Sequence, residues 1–275
     1  MPTVVTRKTD DEIARMRRAG QLLARLHDHL ATLVAPGATT RQLEDAAQAF
    51  IADHGGRPSF QGPVAEGYGG FPAALCTSVD DAVVHGLPSQ RPLVEGQVLT
   101  IDGGIMLDGV HSDAARTHVV GDGSVASAAI QRLLDGTRAA LWAGIAACRV
   151  GNRVGDISAA VEAVATRHGL GVIADHDGHV LGGHGIGRSL HEDPHVPNRG
   201  RPGRGLRLKP GLVLAIEPML TLGDPDWHVA EDGWTVRTVD GAIAAHEEHT
   251  VAVTEAGPVV LTAPPGEGSA AASGT

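Results

Sequence analysis

The chain is poor in cysteine, and its two cysteines form no metal-binding pattern. Cys76 and Cys148 stand far apart and lack the close CxxC spacing of thiolate metal sites. We therefore expect no structural thiolate zinc site. The simplest interpretation is two reduced thiols in a cytoplasmic protein.

The sequence also lacks the features of membrane, secreted and nucleic-acid-binding proteins. No apolar run reaches the roughly 18 residues that a membrane helix needs. The N-terminal region carries charges of both signs and no apolar core, so we do not expect a secretory signal. With 32 acidic residues against 22 Lys and Arg, the net charge of -10 disfavours DNA as a partner.

Length and composition favour one folded domain. Hydrophobic residues make up 42% of the 275-residue chain, which allows a sizeable core. We expect a single catalytic domain over residues 1–263, because the repeat described next interleaves the two halves of the chain. Residues 264–275 are rich in Pro, Gly, Ala and Ser and are predicted to be disordered.

An internal repeat is the most informative feature of the sequence. Gly96–Asp102 returns as Gly211–Glu217, and residues 37–55 align without gaps on residues 151–169 at nearly the same offset. Two related halves are indicated, each with a helix, a buried strand and a carboxylate at the strand's end. Burying an unpaired carboxylate is costly, and two of them would repel each other unless a cation lay between them.

Helix caps and alternating apolar residues predict the secondary structure. Four helices are expected, the first from a Thr9–Glu12 capping box, the second from Thr39 or Thr40, the third from Ser124 and the fourth from Asp156. Strands are expected at 73–79, 98–120 (a hairpin), 212–217, and at 235–239 and 249–253, the last two as a closing pair. Helices that precede hairpin-connected strands predict an α+β protein with a mostly antiparallel sheet.

The predicted hairpin brings two acids together. If Asp108 and Gly109 form a two-residue turn, Asp113 lies opposite Gly104, and Asp102 lies two residues further along the same face. The two carboxylates are then diagonal neighbours, about 7 Å apart at Cβ. The alternative is two surface acids on a solvated strand, which the apolar run before Asp102 disfavours.

A glycine-rich stretch around one histidine, together with two more acids, completes a candidate site. Four glycines surround His184, so a ligand could approach closely, although such a stretch could also be a loop that merely tolerates histidine. The candidate ligands are Asp102, Asp113, His184, Glu217 and Glu248. Such an oxygen-rich set suits Mn, Fe or Co and can take Zn. Bridging carboxylates hold paired metals about 3.5 Å apart.

Several longer motifs carry a family resemblance. They are Cys76–Pro88, Ile101–Gly104, His111–His118, Gly183–Pro194, Ala215–Met219, Gly233–Asp240 and Glu248–Thr250. In these motifs the chain resembles the type I methionine aminopeptidases of peptidase family M24, over roughly residues 10 to 262. The resemblance implies the creatinase-like pita-bread fold, in which two pseudo-symmetric halves pack helices outside a curved, mostly antiparallel sheet.

The resemblance also implies a dinuclear metal site and a reaction. Asp102, Asp113 and Glu248 would serve one divalent ion or bridge two, and His184 and Glu217 would complete the other. The ions would be Co, Mn, Fe, Zn or Ni, with a monovalent cation nearby. The implied reaction is removal of the N-terminal methionine from new proteins whose second residue is small and uncharged.

Three residues have implied catalytic roles. Glu217 would move a proton to the leaving amine, His191 would donate a hydrogen bond to the developing oxyanion, and His85 would contact the scissile nitrogen. Candidates for the methionine pocket are Tyr68, Phe71, Cys76, Leu190 and Trp234, together with His85 and His191 as substrate contacts. Ordinary core packing is the alternative for the pocket residues, above all for Phe71.

The chain departs from the family pattern at three positions, none of them a ligand. Asp80 replaces the usual Asn, Val84 a common Cys, and Leu190 a residue that is often aromatic. Leu190 is expected to widen or soften the methionine pocket. The sequence does not decide whether the nearby monovalent-cation site is kept with Asp80 in place of Asn.

Two rival functions remain at this point. Aminopeptidase P and prolidase share the ligand set, but they usually carry an additional N-terminal domain, for which this chain has no room. A non-enzymatic binding domain of the same fold is the second rival. Such domains typically lose ligands, whereas all five are present here.

A basic loop stands out in this acidic chain. Its positive residues are Arg199, Arg201, Arg204, Arg207 and Lys209. Interleaved Gly and Pro predict a mobile loop that no helix organises. One interpretation is an ordinary solvated loop. The other is a ribosome contact, because an acidic monomer that acts on nascent chains needs a local basic patch on a phosphate-rich surface.

Overall fold

The computed structural model describes residues 5–61, 70–176 and 178–263. Within these ranges the helices are α1 (Asp10–Ala31), α2 (Thr40–Asp53), α3 (Ala128–Ala147) and α4 (Val154–Arg167). The first strands are β1 (Arg57–Pro58), β2 (Leu75–Val79), β3 (Ala82–Val84), β4 (Val98–Leu107), β5 (Val110–Val119), β6 (Gly171–Val172), β7 (Gly183–Gly185) and β8 (Glu192–Val196). The remaining strands are β9 (Val213–Ile216), β10 (Met219–Thr221), β11 (Trp227–Val229), β12 (Val236–Thr238), β13 (Ala244–His246), β14 (His249–Thr254) and β15 (Gly257–Val260).

Helices α1 and α2 begin where their capping boxes predict. The Thr9 hydroxyl accepts from the Glu12 amide, and the Glu12 carboxylate accepts from the Thr9 amide. Thr39 forms the same reciprocal pair with Gln42, so Thr39 rather than Thr40 is the N-cap of α2. Each box satisfies amides that the helix itself leaves unpaired.

The caps predicted for α3 and α4 are wrong by three residues each. Ser127, not Ser124, caps α3, because the Ser124 hydroxyl donates to Asp122 at 2.6 Å instead. Asp156 lies inside the first turn of α4 and accepts from the amide of Arg153, the N-cap residue, at 2.7 Å. In both cases the predicted cap residue forms a hydrogen bond with a different group near the helix start.

The predicted hairpin forms with the expected register. Asp108 and Gly109 have φ values of 52° and 74°, as a two-residue hairpin turn requires, and Gly104 pairs with Asp113. Strand β4 does not end at Asp102, however, but continues to Leu107. The first copy of the repeat therefore places its acid inside a strand, while in the second copy Glu217 follows the end of β9.

The two largest sheets divide the chain into halves. β1, β4, β2 and β5 form one sheet, and the order β15-β14-β9-β7-β8 forms the other, with every named pair antiparallel. The expected closing pair is wrong, because β12 pairs with β11 and β3, while β14 pairs with β9 and β15. The α+β prediction with mostly antiparallel sheets is confirmed.

Each half packs its helices on its own sheet. Leu43 of α2 and Leu99 of β4 belong to one buried cluster, which also contains α1 residues. Ile157 of α4, the repeat equivalent of Leu43, lies in a second cluster with residues of α3, β9 and β14. None of the described helices is long and apolar enough to cross a membrane.

The two sheets meet at a polar junction. The Thr250 hydroxyl accepts from the Asp113 amide at 3.0 Å and donates to the Asp113 carbonyl at 2.8 Å. The Glu248 amide donates to the Ala115 carbonyl at 3.0 Å. Strand β5 of the first half is thereby bonded to the start of β14, and this junction positions the site.

Candidate metal centre

The five predicted ligands converge from both halves of the fold. Asp102 and Asp113 come from the β4–β5 hairpin, and His184 lies in β7. Glu217 follows β9, and Glu248 lies between β13 and β14. Asp102, Asp113, His184 and Glu248 are buried, and only 13% of the Glu217 side chain is exposed.

His184 stands among the carboxylates. Its Nε2 lies 3.6 Å from Oε1 of Glu217 and 4.0 Å from Oδ2 of Asp113. Asp113, His184 and Glu248 each offer a ligand atom within 4.8 Å of the others. Nδ1 of His184 lies 2.9 Å from the Gly185 carbonyl, which can only accept, so Nδ1 carries the proton and Nε2 presents its lone pair.

Burial and mutual repulsion hold protons on these acids when no cation is bound. Burial raises the pKa of Asp102 to about 7, partly opposed by the Cys76 thiol. Burial and then the charge of Asp102 raise the pKa of Glu217 to about 8. The pKa values of Asp113 and Glu248 are raised well above the ordinary range, again by burial first and neighbouring carboxylates second.

The unpaired oxygen atoms of this cluster fit a divalent cation. Among the described residues, Oδ1 of Asp102, Oδ1 of Asp113 and Oε1 of Glu248 are buried without a hydrogen-bond partner. Buried polar atoms are normally paired, and a cation would satisfy all three while removing the repulsion. The four carboxylates and one imidazole are also the ligand types that Mn, Fe, Co and Zn accept.

We expect the metal-free protein to lose stability as pH rises from about 6.5 to about 8. The folded state holds protons on Asp102 and Glu217, with pKa values of about 7 and 8, that the unfolded chain releases near pH 4. Over this interval the folded state therefore binds more protons than the unfolded chain, and stability falls with pH until both groups have ionised. Below pH 6.5, His85 and His184 have the opposite effect on stability. Burial lowers their pKa values to about 4, so they stay neutral in the folded protein while the unfolded chain is protonated at these residues.

Thermal unfolding at pH 6.5 and pH 8, with EDTA and with added Mn²⁺, checks this expectation. The decline should appear in EDTA and disappear with Mn²⁺, because the cation replaces the protons. A metal-free melting temperature that rises over this interval would contradict it.

His85 and His191 lie beside the ligands without joining them. Both line a cavity of about 340 Å³ together with His184 and Glu217. The rings of His184 and His191 are 4.3 Å apart at an angle of 72°. Burial, and then the neighbouring histidines, lower the pKa of His191 to about 2, so its imidazole is neutral and keeps one N–H donor.

The four described pocket candidates share one apolar cluster. Phe71, Cys76 and Leu190 are buried there, and Trp234 packs against it. The rings of Phe71 and Trp234 are perpendicular, with centroids 5.2 Å apart. Trp234 also lines a second cavity of about 550 Å³, which shares His85 with the first. Tyr68 lies outside the described residues.

The Asp80 departure has a local role in the fold. Asp80 adopts φ 54°, and its carboxylate accepts from the Val98 amide and the Gln97 side chain, each at 2.9 Å. These hydrogen bonds therefore stabilise the turn before β3. The Leu190 side chain is 2% exposed and belongs to the same apolar cluster as Phe71.

Sequence reasoning missed His246. Its Nε2 lies 3.6 Å from Oε2 of Glu217, on the other carboxylate oxygen from His184. Burial lowers the pKa of His246 to about 3, so the neutral ring borders the acid. The only indication in the sequence was its position two residues before Glu248.

Known proteins share the sequence pattern of this chain. A model of the family described as metallopeptidase family M24 matches residues 14–255. A methionine aminopeptidase of Clostridium perfringens is 44% identical over 93% of this chain and 97% of its own length. Methionine aminopeptidase 1 of Mycobacterium tuberculosis is 46% identical over 94% of this chain and 95% of its own length.

A solved structure extends the likeness to the backbone. The crystal structure of methionine aminopeptidase from Rickettsia prowazekii matches with a TM-score of 0.88 and 36% sequence identity. The match covers 94% of this chain and 100% of that chain. The pita-bread fold expected from the sequence is thereby confirmed.

Proposed function

Because this chain belongs to the methionine aminopeptidases of metallopeptidase family M24, we propose that it uses two divalent ions to release N-terminal methionine from proteins whose second residue is small and uncharged. One observation carries the proposal: four acids and His184, drawn from both halves of the fold, lie close together, and His184 and Glu217 of this group line a cavity. Two neutral histidines face the same cavity, which supports hydrolysis rather than simple metal storage.

Each catalytic side chain has a role that its position supports. When bound, divalent ions stabilise negative charge on a carbonyl oxygen and lower the pKa of water. Glu217 lies between His184 and His246 and transfers a proton from water to the leaving amine. The neutral His191 donates its N–H to the developing oxyanion, and His85 contacts the scissile nitrogen.

The proposed ligand division needs two ions because the five residues do not form one tight group. Asp113, His184 and Glu248 have ligand atoms close to one another. Glu217 lies 3.6 Å from His184, and the charge of Asp102 acts on Glu217, so these two acids extend the set. We propose Co, Mn, Fe, Zn or Ni as the ions, with a monovalent cation bound nearby. Metal analysis of purified protein, titrated to saturation, tests the stoichiometry; saturation at one ion per chain would contradict it.

We expect release of methionine from Met-Ala and Met-Ser peptides and little from Met-Lys, Met-Leu or Met-Phe peptides. The cavity of about 340 Å³ that His184 and Glu217 line leaves little room for the second side chain. A metal-reconstituted assay across such a peptide panel is the test. Equal rates on Met-Ala and Met-Lys would contradict the specificity.

The same panel separates the rival enzymes. Xaa-Pro peptides without methionine should remain intact under conditions in which Met-Ala-Ser is cleaved. Preferential cleavage of Xaa-Pro peptides would favour a prolidase-like or aminopeptidase P-like activity. No cleavage by a fully metal-loaded protein would favour a binding domain.

The basic loop at 198–209 contains no helix, but it is hydrogen-bonded to the start of α4. The carbonyls of Arg204 and Leu206 accept from the Gly155 and Val154 amides at 2.9 and 3.0 Å, and so cap the start of α4. All five basic side chains remain exposed. At the loop's start, the Asn198 side chain donates to the Glu217 carbonyl at 3.1 Å, which ties the loop to the site.

We propose that this loop holds a cytoplasmic, monomeric enzyme at the ribosome. Changing Arg201, Arg204 and Arg207 to Ser should weaken salt-sensitive ribosome co-sedimentation and leave tripeptide cleavage intact. The matched control changes Arg17, Arg25 and Arg132 on α1 and α3 to Ser, with the same loss of charge. Unchanged co-sedimentation of the loop variant at low salt would return the loop to an ordinary solvated one.

A further inference from the structure

The backbone that carries His191 is held by the carboxylate of the next residue. Oε1 of Glu192 accepts from the amides of Arg188 and Ser189 at 2.8 and 3.2 Å. The turn from Gly187 to Glu192 thus folds back on the Glu192 side chain. His191 lies within this turn, so its direction depends on where that carboxylate is held.

Lys8 holds the other oxygen of the same carboxylate. Its Nζ lies 2.6 Å from Oε2 of Glu192, and the exposed fractions of the two side chains are 4% and 11%. The Thr6 hydroxyl also donates to Oε2, and Lys8 Nζ lies 2.9 Å from that hydroxyl. Burial alone would raise the pKa of Glu192, but the bonds from Lys8 and Thr6 outweigh it and lower the pKa.

The Lys8 stem is fitted tightly to the turn. A Cβ placed on Gly187 would lie 2.2 Å from Cε of Lys8 and 2.7 Å from Oε1 of Glu192. Only glycine leaves this space open, and the stem fills it. The lysine therefore contacts the turn at both its first and its last residue.

The segment that carries Lys8 is itself fixed to the strand that leads to Glu217. The Lys8 amide donates to the Gly211 carbonyl, and Arg7 Nε donates to the Pro210 carbonyl, both at 2.6 Å. Residues 210–211 precede β9, and Glu217 follows that strand. Lys8 is thus placed relative to one catalytic residue and bonded to the turn that presents another.

We propose that Lys8 is a positioning residue that acts through Glu192 to hold His191 over the metal centre. The inference rests on the proposed function of His191 as a substrate contact. A buried ion pair adds little net stability, but removing one partner leaves the other charge buried and unpaired. The turn would then rearrange to solvate Glu192, and misplacing a catalytic group slightly can cost up to about a hundredfold in rate.

Lys8→Met tests the proposal, because methionine keeps most of the stem and removes only the charge. With metal-loaded enzyme and a Met-Ala-Ser peptide, kcat should fall by about tenfold or more while KM and metal stoichiometry stay within about twofold. In a His191→Ala background, Lys8→Met should lower kcat little further. An equal fall in both backgrounds would show that Lys8 does not act through His191.

A second measurement does not depend on catalytic activity. In the metal-free protein, hydrogen exchange at the Arg188 and Ser189 amides should accelerate by about tenfold or more in Lys8→Met, because their acceptor moves. Unchanged exchange at both amides would overturn the proposal. If the wild-type enzyme released no methionine, the proposed function would fail, whereas this exchange result would still test the positioning of the turn.

Two further variants separate positioning from loss of the fold. Arg17→Met removes an exposed cation of α1 and should leave kcat and amide exchange unchanged. Glu192→Gln keeps one acceptor oxygen for the Arg188 and Ser189 amides but removes the charge that Lys8 pairs with. It should lower kcat as Lys8→Met does, and it replaces Lys8→Met as the test if that variant does not fold. The Lys8→Met/Glu192→Gln double variant should be no worse than either single one, and additive losses would contradict the pairing.

Discussion

Asp113→Asn is expected to abolish methionine release and to lower the bound metal. Asp113 lies 4.0 Å from His184 and has a ligand atom within 4.8 Å of those of His184 and Glu248, which is why we propose it as a metal ligand. Changing residues that only support a ligand typically costs 10- to 100-fold, so replacing a ligand should cost more than about a hundredfold. Metal analysis and the Met-Ala-Ser assay measure the two effects.

The same substitution should stabilise the metal-free protein at pH 8. Burial, and then Asp102 and Glu217, oppose ionisation of Asp113, so a neutral amide relieves the repulsion. Asp108→Asn at the exposed tip of the same hairpin is the matched control and should change neither activity nor metal content. A variant at Asp113 with normal metal content and activity would exclude it as a ligand.

His191→Ala is expected to keep the metal and to lose most turnover. Loss of one oxyanion donor commonly costs about a hundredfold or more in kcat. The neutral His191 ring borders His184 but does not belong to the group whose ligand atoms lie within 4.8 Å of one another. Steady-state kinetics with metal analysis of the same preparation checks both parts.

His29→Ala, an exposed histidine of α1, is the control for that experiment. It should leave kcat and metal content unchanged. Loss of both ions in His191→Ala would instead make His191 a ligand. A raised KM with an unchanged kcat would limit the role of His191 to binding the substrate.

Much of the architecture could be predicted because its causes are local. The Thr9–Glu12 capping box and the Asp108–Gly109 turn each involve residues a few positions apart, and the structure has both. That turn also sets Asp113 opposite Gly104. Because strand residues alternate with a period of two, Asp102 then lies on the same face as Gly104. The mistaken caps at Ser124 and Asp156 show the limit, since each of these side chains has a different hydrogen-bond partner near the helix start, Asp122 for Ser124 and the Arg153 amide for Asp156.

The sequence by itself determined the chemistry of the site, because ligand types and motif spacing are properties of the chain. Only the tertiary structure decided how the halves meet, through Thr250 and Asp113, and which residues flank the site, such as His246. It also anchored the basic loop on α4 and brought Lys8 to Glu192. These contacts join residues far apart in sequence, and no local pattern encodes them, because they form only when the sheets, helices and loops pack together.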